Sequence, residues 1–420
     1  NGQGAILDAD KRFGIMSIWS YGNVTIKNIT FINGNATGSG NASGGAIHSE
    51  GKALTLSDSN FINTTAAGYG GAIYIDSKKS KDSITNSNFI NNTAFIDGGA
   101  IYSKSNVTVI NSNFTNTKAS NSGGAIYGNI NVTVVDSTFK GNIADKSSGA
   151  IYSEDAAIVK GSIFINTTTT GNGGAIVGKD VAIFTSEFVN NTANIGGAIS
   201  GTDVAVINSN FTNSTVNSGG AISGNSVFTF NSTFIKTTAT IGNGSAISGN
   251  NVIVMNSTFI NNTAKTNGGS IYANNGSVNV INSTFTNTIS GNNGGAIYAN
   301  ASLVTVMNSN FTETKSGENG GAIYSGDNNA IFDIIGSNFN DNSAKGKGAS
   351  IYTGGIINIK DSTFNSTNVN GTATIYIKSS NKTDLTNNTI AGNLLAIYNE
   401  NGKITSPTTL TFPILTVEKG

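Results

Sequence analysis

Residues 123–139 read GGAIYGNINVTVVDSTF, and most of the chain is a variation on this sentence. It returns as GGAIYIDSKKSKDSITNSNF from Gly70, as GGAISGTDVAVINSNF from Gly196 and as GGAIYANASLVTVMNSNF from Gly294. Two anchors recur: an Ile after small residues (Ile47, Ile73, Ile101, Ile126, Ile151 and on to Ile397) and a Phe roughly a dozen residues later (Phe31, Phe61, Phe89, Phe114, Phe139 and on to Phe364). A period of about 25 residues held from end to end is the mark of a stacked repeat, which decides the fold before local propensity is consulted.

Each repeat divides into three strand-like pieces; from Gly123 they are AIY, NVTVV and STF. Alternation puts Ile126, Val132 and Val134 on one face and Tyr127 and Thr133 on the other. Gly, Asn, Asp and Ser separate the pieces and suit tight or left-handed turns. The expected fold is all-β: a single right-handed parallel β-helix (solenoid) of about 15 or 16 coils, with three short strands per coil. Stacking would align the Ile anchors, the Phe anchors and a polar column three residues before each Phe (Asn28, Asp58, Asn86, Asn111, Asp136, then Asn208 to Asp361), whose amides can bond along the stack. The expected divisions are an N-terminal cap over residues 1–13, the β-helix over 14–400, and an extended tail over 401–420. In that tail residues 408–417 (TTLTFPILTV) alternate like a strand. It is expected to cap the last coil, to link onward, or to pair with another subunit.

Composition narrows the function. Charge is sparse at 11% and balanced at net zero, and Arg12 is the only Arg, so no nucleic-acid footprint and no basic membrane patch is present. The absence of Cys excludes disulfides and thiolate metal sites. No run approaches the roughly 18 apolar residues of a membrane helix. A start at Asn1, without Met or a signal-like run, is expected of a processed or excised chain.

The chemistry-bearing residues are few. A glycosidase needs two facing carboxylates. The acidic pairs are Asp8 with Asp10, in the expected cap, and Glu154 with Asp155, in a turn without Arg or His. Asp327, Asp333 and Asp341 would at most bind calcium weakly, so no metal or cofactor is assigned. His48, the single His, replaces a Tyr in AIHS rather than joining a triad. The slot after the Ile anchor reads Trp19, His48, Tyr74, Tyr102, Tyr127, Tyr152, Val177, Ser200, Ser223, Ser248, Tyr272, Tyr298, Tyr324, Tyr352, Tyr376 and Tyr398. It should point outward, as an aromatic ladder stiffening the sheet or as a platform for sugar rings or another protein. The run Val177, Ser200, Ser223 and Ser248 would form a small-residue waist rimmed by Tyr152 and Tyr272. Sequons are abundant (Asn23, Asn28, Asn63, Asn106, Asn131, Asn166, Asn231, Asn256, Asn282), and some of these Asn side chains are expected inside the coil.

GGAI paired with F-x-N (Phe61-Ile62-Asn63, Phe114-Thr115-Asn116, Phe211-Thr212-Asn213) resembles the passenger repeats of the chlamydial polymorphic outer-membrane proteins. It also resembles the adhesin-like proteins of methanogenic archaea, rich in Asn and Thr, with openings like the NVTIKNITFINGNA of residues 23–36. The resemblance covers residues 14–400, without the C-terminal membrane barrel of the chlamydial group. It implies an extracellular, non-catalytic surface protein: an adhesin, stalk or filament subunit. The expected partner, from the aromatic column, is a surface glycan or cell-surface protein, and open sheet edges suggest self-assembly through the end coils and the 408–417 tail. The alternative is a carbohydrate-active enzyme, a polysaccharide lyase or glycoside hydrolase on the same scaffold.

Overall fold

The computed structural model describes residues 1–20, 22–38, 42–77, 81–300, 303–365, 373–378, 383–391 and 397–400; the expected tail, with residues 408–417, lies outside them. The chain forms two compact units, Asn1–Ala205 and Val206–Gly420, each a stack of parallel β coils. The described residues are all-β.

Coils have three to four strands; most add a short fourth to the three read from the sequence. In the coil quoted above they are Ile126–Gly128, Val132–Val135, Thr138–Lys140 and Ile143–Ala144. The fourth has only two residues, too few to show alternation, so periodicity cannot reveal it. Within each unit the strands pair in parallel with their equivalents one coil away. Ile126 faces Ile101 and Ile151, and Phe139 faces Phe114 and Phe164. The four columns, named here for Ile, Val, Phe and Ala, hold 16, 15, 16 and 13 strands among the described residues. At the start of the chain Ala5–Asp8 already adds a strand to the Phe column, with Leu7 against Phe31.

Left-handed corners explain the polar signature. The position three before each Phe has positive φ throughout: 58° at Asn28, 48° at Asn111, 47° at Asp136, 60° at Gly161 and 59° at Gly336. Asn, Asp and Gly tolerate that conformation at least cost. The column therefore marks a turn between the Val and Phe strands as well as a ladder. The ladder also exists, on the outside: Asn111 Nδ2 donates to Asn86 Oδ1 at 2.8 Å, and Asn231 Nδ2 to Asn208 Oδ1 at 2.9 Å. The Asn of F-x-N is a second such corner, with φ of 54° at Asn63 and 53° at Asn116. The first Gly of GGAI is a third, at 66° for Gly123. Its neighbour Gly124 is there for space, since a Cβ would sit 2.0 Å from the Gly149 carbonyl oxygen of the next coil.

The interior combines apolar stacks with polar ladders. Phe rings stack along each unit with centroids 4.6 to 4.9 Å apart, a spacing imposed by the strands themselves. Buried beside them runs a serine ladder. Ser112 N–H donates to Ser137 Oγ at 3.0 Å, while Ser137 Oγ donates back to the Val135 carbonyl at 2.8 Å. N-S-x-F thus encodes corner, inward hydroxyl, outward residue and inward ring. Three residues after Phe, buried Thr and Asn alternate as Thr64, Asn92, Thr117, Asn142, Thr167 and Asn191. Asn142 Oδ1 accepts from Thr117 N–H (3.1 Å) and Thr117 Oγ1 (2.8 Å), and its Nδ2 donates to the Phe114 carbonyl at 3.3 Å. In the second unit Thr237 with Asn262 and Thr314 with Asn342 repeat the arrangement. There Ser214 and Thr288 have Thr237 and Thr314, not Asn, one coil on, and their buried hydroxyls have no hydrogen-bond partner among the described residues.

Candidate functional site

The ring column occupies the outer side of the Ile strands, because the alternate positions are filled by buried Ile and small residues. Tyr102, Tyr127 and Tyr152 lie in register, with ring centroids 5.0 and 4.8 Å apart and planes 9° and 13° from parallel. In the second unit Tyr272, Tyr298, Tyr324, Tyr352, Tyr376 and Tyr398 stack at 4.9 to 5.2 Å. Stacking at this distance covers the faces of the rings. Hydroxyl rims and ring edges remain, so most of the column cannot lay a ring face against a sugar.

The column points outward, as alternation predicts, yet not all of it is exposed. His48, Tyr74, Tyr102 and Tyr352 are only 5%, 7%, 7% and 8% exposed, while Tyr127, Tyr152, Tyr272, Tyr298 and Tyr324 are half-buried. The reason is local cover. Tyr69, outside the repeated slot, folds back with its ring 4.6 Å from Tyr102 and 6.3 Å from Tyr74. Lys104 Nζ lies 5.5 Å from the Tyr74 ring centroid and pairs with Asp76 at 2.9 Å. Lys347 Nζ lies 4.4 Å from the Tyr376 ring centroid and pairs with Glu400 at 3.1 Å. Nothing in the repeat marked Tyr69; its only signal was a Tyr one residue before a GG corner.

Trp19 is displaced from the slot the sequence assigned to it. Met16–Ile18 pairs with Met16 against Ile47 and Ser17 against His48, so Met16 and not Ile18 takes the anchor position. Trp19 still reaches His48, with centroids 6.1 Å apart, and remains 68% exposed. His48 has Nδ1 at 3.1 Å from the Ser43 carbonyl and Nε2 at 3.1 Å from Glu50 Oε1, and its ring stacks 4.8 Å from Tyr74. These contacts place it in the ladder, as its substitution for Tyr implied.

The small residues of the expected waist belong to both units. Val177 pairs with Tyr152 and Ser200 with Val177 in the first; Ser223 pairs with Ser248 and Ser248 with Tyr272 in the second. Tyr152 and Tyr272 therefore each end a stack with a ring on one side and a small residue on the other. Of the acidic pairs, Asp8 Oδ1 accepts from Asp10 N–H at 2.9 Å, and Asp10 pairs with Arg12 at 3.0 Å. Glu154 accepts from the Tyr127 hydroxyl at 2.8 Å and from Asn129 at 3.1 Å, which ties it to the ring column. Asp333 accepts from Asn358 at 2.7 Å. The named sequon Asn residues all lie at least partly exposed, contrary to the expectation that some face inward; Asn28, Asn63, Asn166, Asn231, Asn256 and Asn282 sit at left-handed corners that turn them out.

Burial pushes the phenols up: Tyr102 and Tyr324 reach about 12, and Tyr376 also reaches about 12 through burial and its hydrogen bond to Glu400. A phenol whose pKa is higher folded than unfolded contributes its full stability below the unfolded value near 10. That contribution is lost as pH rises toward the folded value. The melting temperature should therefore fall between about pH 10 and pH 12, in step with tyrosinate absorbance, and fall less steeply in Tyr102→Phe. A melting temperature flat across that window would refute this account of the column.

Three to four short parallel strands per coil, positive-φ corners and stacked interior rings define a parallel β-solenoid. Two stretches, residues 86–104 and 256–274, match the Chlamydia polymorphic membrane protein (Chlamydia_PMP) repeat. Each begins at the corner Asn (Asn86, Asn256) and ends just past the ring position (Tyr102, Tyr272). No curated protein and no solved structure is significantly similar to the chain. The repeat and the solenoid together fit a surface-exposed, adhesin-like β-helix protein. Among the described residues no helix is long and apolar enough to cross a membrane, which says nothing of a β-barrel.

Proposed function

We propose that this chain is an extracellular, non-catalytic β-solenoid acting as an adhesin, stalk or filament subunit. The observation that carries the reading is the match of two 19-residue segments, corner to ring, to the Chlamydia polymorphic membrane protein repeat. The positions matched include the Phe, Ala and Ile strands of their coils, as expected of a scaffold displayed outside a cell. Recognition of a glycan or a cell-surface protein falls to ring faces that stacking leaves open: Tyr152 in the first unit, Tyr272 in the second, and exposed Trp19. Aromatic faces with a polar rim suit such contacts.

Beads coated with the full chain should adhere to cells or immobilised glycans. Tyr152→Ala with Tyr272→Ala should weaken adhesion, whereas Tyr127→Ala, inside a stack, should not. Equal loss from both variants would remove the open faces from the reading. Release of new reducing ends or unsaturated sugars from a polysaccharide would replace it with the enzyme alternative.

A further inference from the structure

Stacking brings phenols together as well as covering their faces. Tyr127 and Tyr152 are in register on adjacent coils, with centroids 4.8 Å apart and planes 13° from parallel. Near-parallel rings in register hold the carbons beside their hydroxyls at about the strand spacing, ~4.8 Å. Both residues are half-buried, with their rims open to solvent. Tyr127 also has a base in place: its hydroxyl donates to Glu154 Oε1 at 2.8 Å, within the range for proton transfer. Asn129 Nδ2 donates to the same oxygen at 3.1 Å and so holds the carboxylate there. The fold does not require a carboxylate at this turn, since Lys104 and Asn129 take the same position in the two preceding coils. Tyr74 with Asp76, and Tyr376 with Glu400, share the phenol–carboxylate pairing, but these two tyrosines are only 7% and 5% exposed.

We propose that Tyr127 and Tyr152 are a site of oxidative cross-linking, joined as dityrosine by a haem peroxidase and hydrogen peroxide. Each phenol gives one electron to the oxidised haem and releases one proton, that of Tyr127 to Glu154 Oε1. The two phenoxyl radicals join through a carbon beside each oxygen. The hydrogen on each joined carbon then returns to its oxygen, which restores both phenols around one new C–C bond. Two hydrogens leave the protein in all, and they reduce one peroxide to two waters. The bond ties adjacent coils covalently in a chain that has no Cys to do so. Tyr127 and Tyr152 are 25 residues apart, so the cross-link closes one coil on itself and slows its opening.

The test treats the full chain, at high dilution, with a haem peroxidase and hydrogen peroxide and then cleaves it after Lys. Lys140 and Lys146 lie between the two tyrosines, so cleavage separates them unless the cross-link joins them. Dityrosine fluorescence should appear in a band of single-chain size. Mass spectrometry should find the Tyr127 and Tyr152 peptides joined and lighter by two hydrogens than their sum. Tyr127→Phe, which keeps a stacked ring, should abolish that joined pair. Glu154→Gln should slow its formation about tenfold or more, with the circular dichroism spectrum unchanged. Dityrosine found only between chains, no joined pair from the folded chain, or an unchanged rate in Glu154→Gln would each overturn the proposal. These outcomes do not depend on whether the chain adheres to cells.

Discussion

Replacing Asn142 by Leu should lower the stability of its coil by about 3–5 kcal/mol. The Asn142 amide is buried and serves three groups: the Thr117 N–H, the Thr117 hydroxyl and the Phe114 carbonyl. Leu fills the volume, so water cannot take over, and each stranded group costs about 1–3 kcal/mol. Asn116 is the control, because it adjoins Thr117, the partner of Asn142, yet faces solvent at the left-handed corner. Asn116→Leu should lose about 1–2 kcal/mol, the cost of a branched side chain at positive φ. Stability in a stack of coils is distributed coil by coil, so native-state hydrogen exchange is the appropriate measurement. Equal effects at the two positions would show that the interior amide is not a structural requirement.

The second large effect is expected at Phe139. Its ring is fully buried between Phe114 at 4.7 Å and Phe164 at 4.8 Å. Phe139→Ala removes a ring whose neighbours cannot close the gap, since their spacing is held by the backbone ladders on either side. The expected loss is about 3–5 kcal/mol. Tyr127→Ala deletes a ring stacked at nearly the same spacing, but on the outside, where it is half-buried. That change should cost about 1–2 kcal/mol. Unfolding midpoints that move equally would mean that the outer ladder shares the structural load of the core.

The anchors were legible because one residue type repeats at one place in every coil: Ile126 does meet Ile151, and Phe114 does meet Phe139. What escaped the sequence reading follows from its assumptions. Reading for an apolar interior finds Ile, Val and Phe but passes over Ser137 and Asn142, which are as buried as the rings beside them. Such groups go inside only when the next coil supplies their partners, and that condition is invisible one coil at a time. The polar column before Phe was found as a ladder, and residues of its types were read as turn formers; its uniform positive φ joins the two, a backbone property that Asn, Asp and Gly share for different reasons. At the candidate site, alternation gave the outer side of the Tyr column correctly and could not foresee its cover by Tyr69, Lys104 and Lys347. Trp19 was misplaced because Ile18 copied the motif while Met16 took its place in the sheet.

The alternation of buried Thr and Asn also restricts how such a gene can change in length. In the first unit Thr117 and Asn142 are 25 residues apart, and Thr117 and Thr167 are 50. Replication slippage that removes one coil from this region sets Asn142 on Asn92, two amides with no Thr between them. Slippage by two coils sets Thr167 after Asn92 and keeps every pairing. Although the visible repeat is a single coil, the heritable module that can be copied or lost without breaking the interior is the pair. Where that parity slips in the second unit, at Ser214 and Thr288, the mark left behind is a buried hydroxyl with no partner among the described residues.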